Sequence, residues 1–325
     1  MIKSTAMEPS EPLVSICIPT YNSARYLRQS LDSVVVQTYR PVEVIIADNA
    51  STDDTVAIAR EYAEKYGFRL VESNTNLGPL NNWNRLVSLA QGKYIAIYHS
   101  DDVYDGQIVA ASVQVLEQNP EVALVGTLAQ VIDGADNDLF SYELPATIKN
   151  QRKDSYCYDE VLSAILGSGE ERIFLVTPSL MVRADAYQEA GPFDEEKYRS
   201  SGDYEMWLRI ARRHKVAVID RPLMRYRVHD QQGSEAERQK RLQSPDLIRV
   251  LEEYGSYATA TAVQKHCNRF VARRQLAVAI KLNRSGRFTE SRTLAAMVGS
   301  GIYSLASWVV IAASSLKIRF PRVDR

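Results

Sequence analysis

From Val14 onward, short apolar runs alternate with amphipathic stretches, the signature of strands joined by helices around a largely parallel sheet. The runs predict strands over residues 14–18, 42–47, 69–72, 94–98 and 123–126, and the stretches between them predict helices over 24–37, 53–66, 79–90 and 106–118. Four consecutive strand and helix pairs within about 120 residues mark half of a doubly wound sheet, which binds its ligands at the carboxyl ends of the strands. The pattern then weakens. Residues 128–147 carry turn formers (Asp133-Gly134, Asp136-Asn137) and read as a loosely structured excursion. Beyond it, 177–182 predicts a strand, 184–190 a short helix stopped by Gly191-Pro192, 204–213 an amphipathic helix, and 216–219 and 223–228 two closing strands. Everything from Ser244 to the end reads as helical.

The 325 residues, 45% hydrophobic and 24% charged, suffice for a full core and suit one large domain with an appendage, or two domains. Lys and Arg number 39 against 40 Asp and Glu, so no global field holds nucleic acid by phosphate neutralisation, and no nucleic-acid partner is expected. The charge is nevertheless polarised. Residues 235–325 hold 16 Lys/Arg against 7 Asp/Glu, a net of +9, which leaves −10 on residues 1–234. Cys17, Cys157 and Cys267 lie too far apart for a zinc ribbon or a disulfide framework, and residues 1–12 hold no apolar signal segment, so a cytoplasmic protein is expected. The stretch 294–316 runs 23 residues without a charge between basic flanks. As one helix it would reach across a bilayer core of about 30 Å. Its five serines and two glycines weaken that reading. Packing against the protein or a partner, lying on the inner face of a cell membrane through residues 285–325, and spanning are all left open, as is a homo-oligomer.

Polar residues crowd the strand ends. The first strand runs into Pro19-Thr20-Tyr21-Asn22, the second into Asp48-Asn49-Ala50-Ser51-Thr52-Asp53-Asp54, and the fourth into His99-Ser100-Asp101-Asp102. Neither a Gly-x-Gly-x-x-Gly after strand one nor a Walker A loop is present. Neighbouring carboxylates repel unless a cation separates them, so Asp101 and Asp102 suit Mg²⁺ or Mn²⁺ held together with substrate phosphates; equally, an Asp pair caps a helix. Asp48 either accepts a hydrogen bond from a nucleobase or turns the chain, and Tyr21 is either a stacking face or a rim tyrosine. Asp203 either caps a helix whose apolar face is Met206, Trp207 and Ile210, or serves as a general base at a cleft mouth, with Gly202 admitting a bulky substrate. Arg227 and His229 either bring positive charge to a phosphate or end an edge strand in solvent. His214 and His266 have no spacing partner and read as ordinary surface or core histidines.

Seven segments, in this order, carry a resemblance: Val14-Ser15-Ile16-Cys17-Ile18-Pro19-Thr20-Tyr21-Asn22, Glu43 to Thr55, Asn76-Leu77-Gly78, Gly92-Lys93-Tyr94-Ile95, His99-Ser100-Asp101-Asp102, Gly191-Pro192-Phe193-Asp194 and Asp203-Tyr204-Glu205-Met206-Trp207-Leu208-Arg209. Together they resemble the family 2 glycosyltransferases of GT-A fold. The resemblance implies an α/β, doubly wound, mostly parallel sheet with a C-terminal helical tail. The chain then divides into a flexible tail 1–12, a catalytic domain 13–235 (nucleotide half 13–127, acceptor half 128–235) and a helical basic region 236–325. It implies a metal-dependent transfer of a sugar from a nucleotide diphosphate donor to a glycan or lipid-linked acceptor, in cell-surface polysaccharide synthesis. Donor binding falls to Pro19, Tyr21, Asn22, Asp48, Asn76, His99, Asp101, Arg227 and His229, the metal to Asp101 and Asp102, and the proton of the acceptor to Asp203. One base and no second nucleophile mean single displacement with inversion. Three positions depart from the family pattern: His99 and Asn49, each where an aspartate is frequent, and Gly202, where many relatives carry Glu. A nucleotidyltransferase, which lacks its basic glycine-rich loop here, and a non-catalytic sugar-nucleotide scaffold are the competing readings.

Overall fold

A computed structural model of the chain describes residues 11–167, 175–230, 245–298 and 303–321; most of the expected N-terminal tail and the boundary placed at 235/236 lie outside the described residues. The first half alternates as its pattern predicts: β1 (Val14–Thr20), α1 (Ala24–Val35), β2 (Val42–Asp48), α2 (Thr55–Tyr66), β3 (Arg69–Glu72), α3 (Pro79–Leu89), β4 (Tyr94–Ile97), the two-residue β5 (Val103–Tyr104) and α4 (Ile108–Gln118). Strand β1 pairs parallel with β2 and β4, and β2 with β3. These strands are apolar on both faces because both faces are covered. Ile16 and Ile18 pack against Leu27, Leu31, Ile58 and Ile108 on one side, while Cys17, Ile45 and Ile97 meet Leu80, Trp83 and Leu86 on the other. Gly67 ends α2 in the left-handed conformation, and Pro79 opens α3 directly after Gly78 at φ 84°.

The second half corrects the pattern. The expected excursion at 128–147 is ordered: β6 runs from Val122 to Ile132, and the turn residues 133–137 return the chain into β7 (Asp138–Ser141). Asp133 shapes that turn by accepting from Ala135 N–H at 2.8 Å and Asn137 N–H at 2.9 Å. Helices α5 (Ala146–Lys149) and α6 (Tyr158–Gly167) follow. Of the strand expected over 177–182, the first three residues form a 3₁₀ turn (Thr177–Ser179), in which Pro178 supplies no N–H for a ladder; β8 (Leu180–Arg183) then runs antiparallel between β4 and β6. After α7 (Ala184–Ala190), α8 (Glu195–Tyr198), a 3₁₀ turn (Arg199–Ser201) and α9 (Gly202–Ala211), the two expected closing strands prove to be one, β9 (Lys215–Arg227), whose register against β6 shifts as it passes Pro222. Among the described residues, nine strands form one mixed sheet in the order β3-β2-β1-β4-β8-β6-β9-β5, with β7 beside β6.

The C-terminal region is helical: α10 (Pro245–Gly255), α11 (Thr261–Arg284), α12 (Phe288–Ala296) and α13 (Ser304–Ser315). Ile248, Leu251, Tyr254 and Val271 pack on Leu162 of α6 and Leu208 of α9, so this region is built onto the elements that carry Asp203. The uncharged stretch 294–316 is not one helix, since α12 ends at Ala296 and α13 starts at Ser304. Among the described residues, no helix is long and apolar enough to cross a membrane.

Candidate active site

The carboxyl ends of β1, β2 and β4 face α9 and the 3₁₀ turn at Thr177–Ser179 across a cleft of about 730 Å³. Of the residues singled out from sequence, Pro19, Tyr21, Asn22, Asn76, His99, Asp101, Asp203 and His229 line it; Asp48, Asp102 and Arg227 do not. The last three are buried behind its wall, and their hydrogen bonds show what they do there.

Asp48 ends β2 with its carboxylate turned inward, accepting from Thr20 Oγ1 at 3.0 Å, Ser51 N–H at 2.9 Å and Ser51 Oγ at 2.5 Å. It thereby ties the end of β1 to the loop after β2. The next residue, Asn49, lines the cleft and latches a second loop, donating from Nδ2 to Asn76 Oδ1 at 2.9 Å and accepting from Leu77 N–H at 2.8 Å. Asn22 holds this corner at φ 49° and accepts from Thr52 N–H at 2.8 Å. Tyr21, half exposed, presents its ring to the cleft rim.

At the end of β4, Ser30 Oγ and Tyr104 Oη both donate to the His99 carbonyl, at 3.0 and 3.2 Å, and Trp83 lies 5.5 Å from the His99 ring between centroids. Asp101 lines the cleft, with Oδ2 at 3.1 Å from Nε2 of His229. Asp102 is fully buried: Oδ1 accepts from Arg227 N–H at 2.8 Å, and Oδ2 has no partner. Burial, with Asp101 next, holds the Asp102 carboxyl well above the usual carboxylate range against the opposing bond and charge of Arg227. The Arg227 guanidinium is itself buried, donating to the Asp101 carbonyl at 2.8 Å, to Asp136 Oδ1 at 2.8 Å and to Gln29 Oε1 at 2.7 Å, with its carbon 4.4 Å from the Tyr26 ring centroid. It braces the acidic corner from behind. One ligand atom from each of His99, Asp101 and Asp102 falls within 4.8 Å of the others. Two carboxylates, one with a buried oxygen that no group among the described residues satisfies, form a donor set that fits a divalent cation.

Across the cleft, Asp203 occupies the first turn of α9, whose N-cap is Ser201 rather than Asp203. Its Oδ2 accepts from Thr177 Oγ1 at 3.1 Å, and its Oδ1 from Tyr204 N–H at 2.8 Å. Gly202 does not open the cleft to a bulky ligand; it packs against Leu80 of α3. The buried Glu205 pairs with Arg209 at 2.5 Å and accepts from Tyr254 Oη, joining α9 to α10.

Sequence reasoning missed much of the lining, Thr177, Glu195, Arg199 and Trp83 among it. Glu195 lines the cleft and accepts from Leu80 N–H at 2.7 Å, serving the open end of α3 from 115 positions away. Arg199 lines it at φ 40°, a conformation disfavoured for a side-chain-bearing residue. Trp83 of α3 is both core and wall. Asn49 was readable only as a departure, although its place one residue past the strand end was a usable signal.

The model of the family described as glycosyl transferase family 2 matches residues 15–166. An uncharacterised glycosyltransferase of Methanocaldococcus jannaschii is 30% identical over 225 residues, spanning 68% of this chain and 72% of that protein. Among solved structures, Staphylococcus aureus TarS 1–349 in complex with UDP superposes with a TM-score of 0.63 at 18% identity, covering 96% of this chain and 94% of that one. The mannosyltransferase PcManGT of Pyrobaculum calidifontis, in complex with GDP-Man and Mn²⁺, gives 0.60 at 19% identity, over 94% and 80%. The fold they share with this chain is GT-A.

Proposed function

Because the chain belongs to glycosyl transferase family 2, we propose that it transfers a sugar from a nucleotide diphosphate donor to an acceptor hydroxyl, with Asp203 as the base and inversion at the anomeric carbon. The observation that carries this reading is that Asp101 and Asp203, from opposite halves of the chain, line one cleft. A hydroxyl is far too weak an acid to ionise near neutrality, so the attacking oxygen needs a carboxylate to receive its proton as the new bond forms. Thr177 and the Tyr204 N–H hold the two oxygens of Asp203 in place for that transfer. Asp101 and Asp102, beside His99, would hold a divalent cation, Mg²⁺ or Mn²⁺, which when bound would supply positive charge against that of the departing nucleotide diphosphate.

Pro19, Tyr21, Asn22 and Asn76 border the nucleotide, with His99 and His229 on the diphosphate side. Asn49, just past the end of β2, rather than the inward-facing Asp48, is the polar group there available to a base. Asp48 and Arg227 act as positioning residues, the first ordering the strand-end loops and the second bracing Asp101 and Asp102. The donor half is 13–127 and the acceptor half 128–235, and the acceptor is a glycan or a lipid-linked glycan of a cell-surface polysaccharide. TarS with UDP and PcManGT with GDP-Man and Mn²⁺ support a UDP or GDP donor.

Thermal-shift screening of UDP, GDP and dTDP sugars with and without Mn²⁺ identifies the donor, because a ligand bound only by the folded state raises the melting temperature. Release of nucleotide diphosphate is then compared between wild type and Asp203→Asn. The variant is expected to keep the donor-induced shift and lose about 10²- to 10⁴-fold in turnover. Wild-type turnover in the variant removes Asp203 as the base, and pyrophosphate as the product points to nucleotidyl transfer instead.

A further inference from the structure

Helix α13 is built inside out. Its inward face carries Ser307, Val310 and Ser314, whereas Leu305, Trp308, Val309 and Leu316 stand 78, 68, 52 and 71% exposed. Those four share one helical face, at spacings of three, four and eleven from Leu305. The orientation is pinned from within. Ser314 Oγ donates to Ser291 Oγ at 2.9 Å, Ser291 Oγ donates to the Ala279 carbonyl at 2.7 Å, and Asn283 Nδ2 reaches Ser314 Oγ at 3.1 Å and the Ile318 carbonyl at 3.0 Å. Rolling the helix to hide its apolar face would break this buried network and leave its polar atoms without partners. Ile318, 56% exposed just beyond the helix, and Met297, 61% exposed after α12, extend the apolar surface. Along the sequence the charge of this region is nearly all positive: residues 261–321 contain ten Lys/Arg and a single acid, Glu290, which Arg287 neutralises in an ion pair, and Lys317 and Arg319 directly follow the helix.

We propose that this face is a docking surface for an anionic lipid bilayer, on which α13 lies in the interfacial plane with Leu305, Trp308, Val309 and Leu316 in the acyl boundary and Lys317 and Arg319 among the headgroups. Charge complementarity selects this occupant. A second copy would set Lys317 and Arg319 of one chain against those of the other, whereas the inner leaflet's negative potential attracts them. An exposed tryptophan beside aliphatic side chains, on an uncharged helix followed at once by Lys317 and Arg319, is the composition of an interfacial element. The helix is too short to span and is the right form to lie flat. Since α11 packs with α6 and α9 and α13 packs on α11, docking would fix the candidate cleft at a set orientation above the surface. The inference does not depend on the reaction assigned to that cleft.

The test uses the full chain, without donor or acceptor, sedimented with vesicles of phosphatidylcholine alone or mixed with phosphatidylglycerol. Binding to the anionic vesicles, weakened by salt, is expected. Trp83 and Trp207 are buried, so a blue shift of emission on adding vesicles reports Trp308 entering the bilayer. The double variant Leu305→Ser with Trp308→Ser should lower the partition coefficient about 100-fold, near tenfold per large apolar side chain removed. Lys317→Gln with Arg319→Gln should lower it roughly 30-fold on anionic vesicles only. Circular dichroism and the melting temperature check that the variants remain folded. The proposal is overturned if the wild type stays in the supernatant, if the serine variant partitions as tightly as the wild type, or if light scattering shows a dimer that the serine variant abolishes.

Discussion

Substituting Gly202 by Ala probes the packing that aims Asp203. Gly202 sits at φ −67°, so an alanine there carries no backbone penalty and improves helix propensity by about 0.5–1 kcal/mol. Its Cβ, however, would overlap Cδ1 of Leu80 and lie 3.3 Å from Cδ2, and Leu80 is buried. Overpacking of this kind costs about 1–3 kcal/mol, so the net loss expected is roughly 1–2 kcal/mol, relieved by a shift of α9 that moves Asp203 with it. Leu80→Ala removes the obstruction and by itself costs about 2–5 kcal/mol through the cavity it leaves. In that background Gly202→Ala meets open space and should stabilise by about 0.5–1 kcal/mol, so the sign of its effect reverses. Urea unfolding of the four proteins at equilibrium measures the cycle, and turnover measured alongside should fall in the Gly202→Ala protein more than donor binding does. Equal costs of Gly202→Ala in the two backgrounds would show that Leu80 and the start of α9 are not in contact, and the account of how Asp203 is placed would fail.

Asp101→Asn should leave the melting temperature of the free protein nearly unchanged and abolish the additional rise that Mn²⁺ brings in the presence of nucleotide; an undiminished rise would assign the cation to other residues. Arg227→Met removes the buried guanidinium that donates to the Asp101 carbonyl, Asp136 and Gln29 and should cost about 3 kcal/mol in chemical denaturation, a loss absent if the guanidinium were solvated. Asp159 accepts from Thr259 N–H, Thr259 Oγ1 and Ala260 N–H just ahead of α11, so Asp159→Ala should cost about 1 kcal/mol. Partial burial pushes its carboxyl up, but those bonds outweigh it and hold it below the usual range. A depressed acid stabilises fully above its unfolded pKa of about 4 and loses that contribution as pH falls through the lower folded value. The gap between wild type and Asp159→Ala should therefore close in melts taken on acidification, and a gap that widened there would reverse the assignment.

The alternation of apolar runs and amphipathic stretches determined the first half of the fold nearly residue for residue, because each strand there is covered by the helices next to it in sequence. The same local logic placed the polar clusters after β1, β2 and β4 at one sheet edge. It ran out where the deciding partner lies far away. The long β6 was hidden because its ladder is with β9, some ninety positions on, and the turn residues that read as looseness belong to the hairpin into β7. Asp48 and Asn49 are adjacent polar residues at a strand end, and only the hydroxyls of Thr20 and Ser51 decide that the aspartate turns inward and the asparagine toward the cleft. Arg227 reads as a free cation until the carbonyl of Asp101 and the carboxylate of Asp136 fold around it. The uncharged stretch at 294–316 told of apolar surface without saying which side of it would be hidden. Ser291 and Asn283, brought alongside by the packing of α11 and α12, drew Ser314 of α13 inward and left the helix's largest apolar side chains facing out, since a hydroxyl bonded inside a small core outweighs a leucine that can be covered by something else.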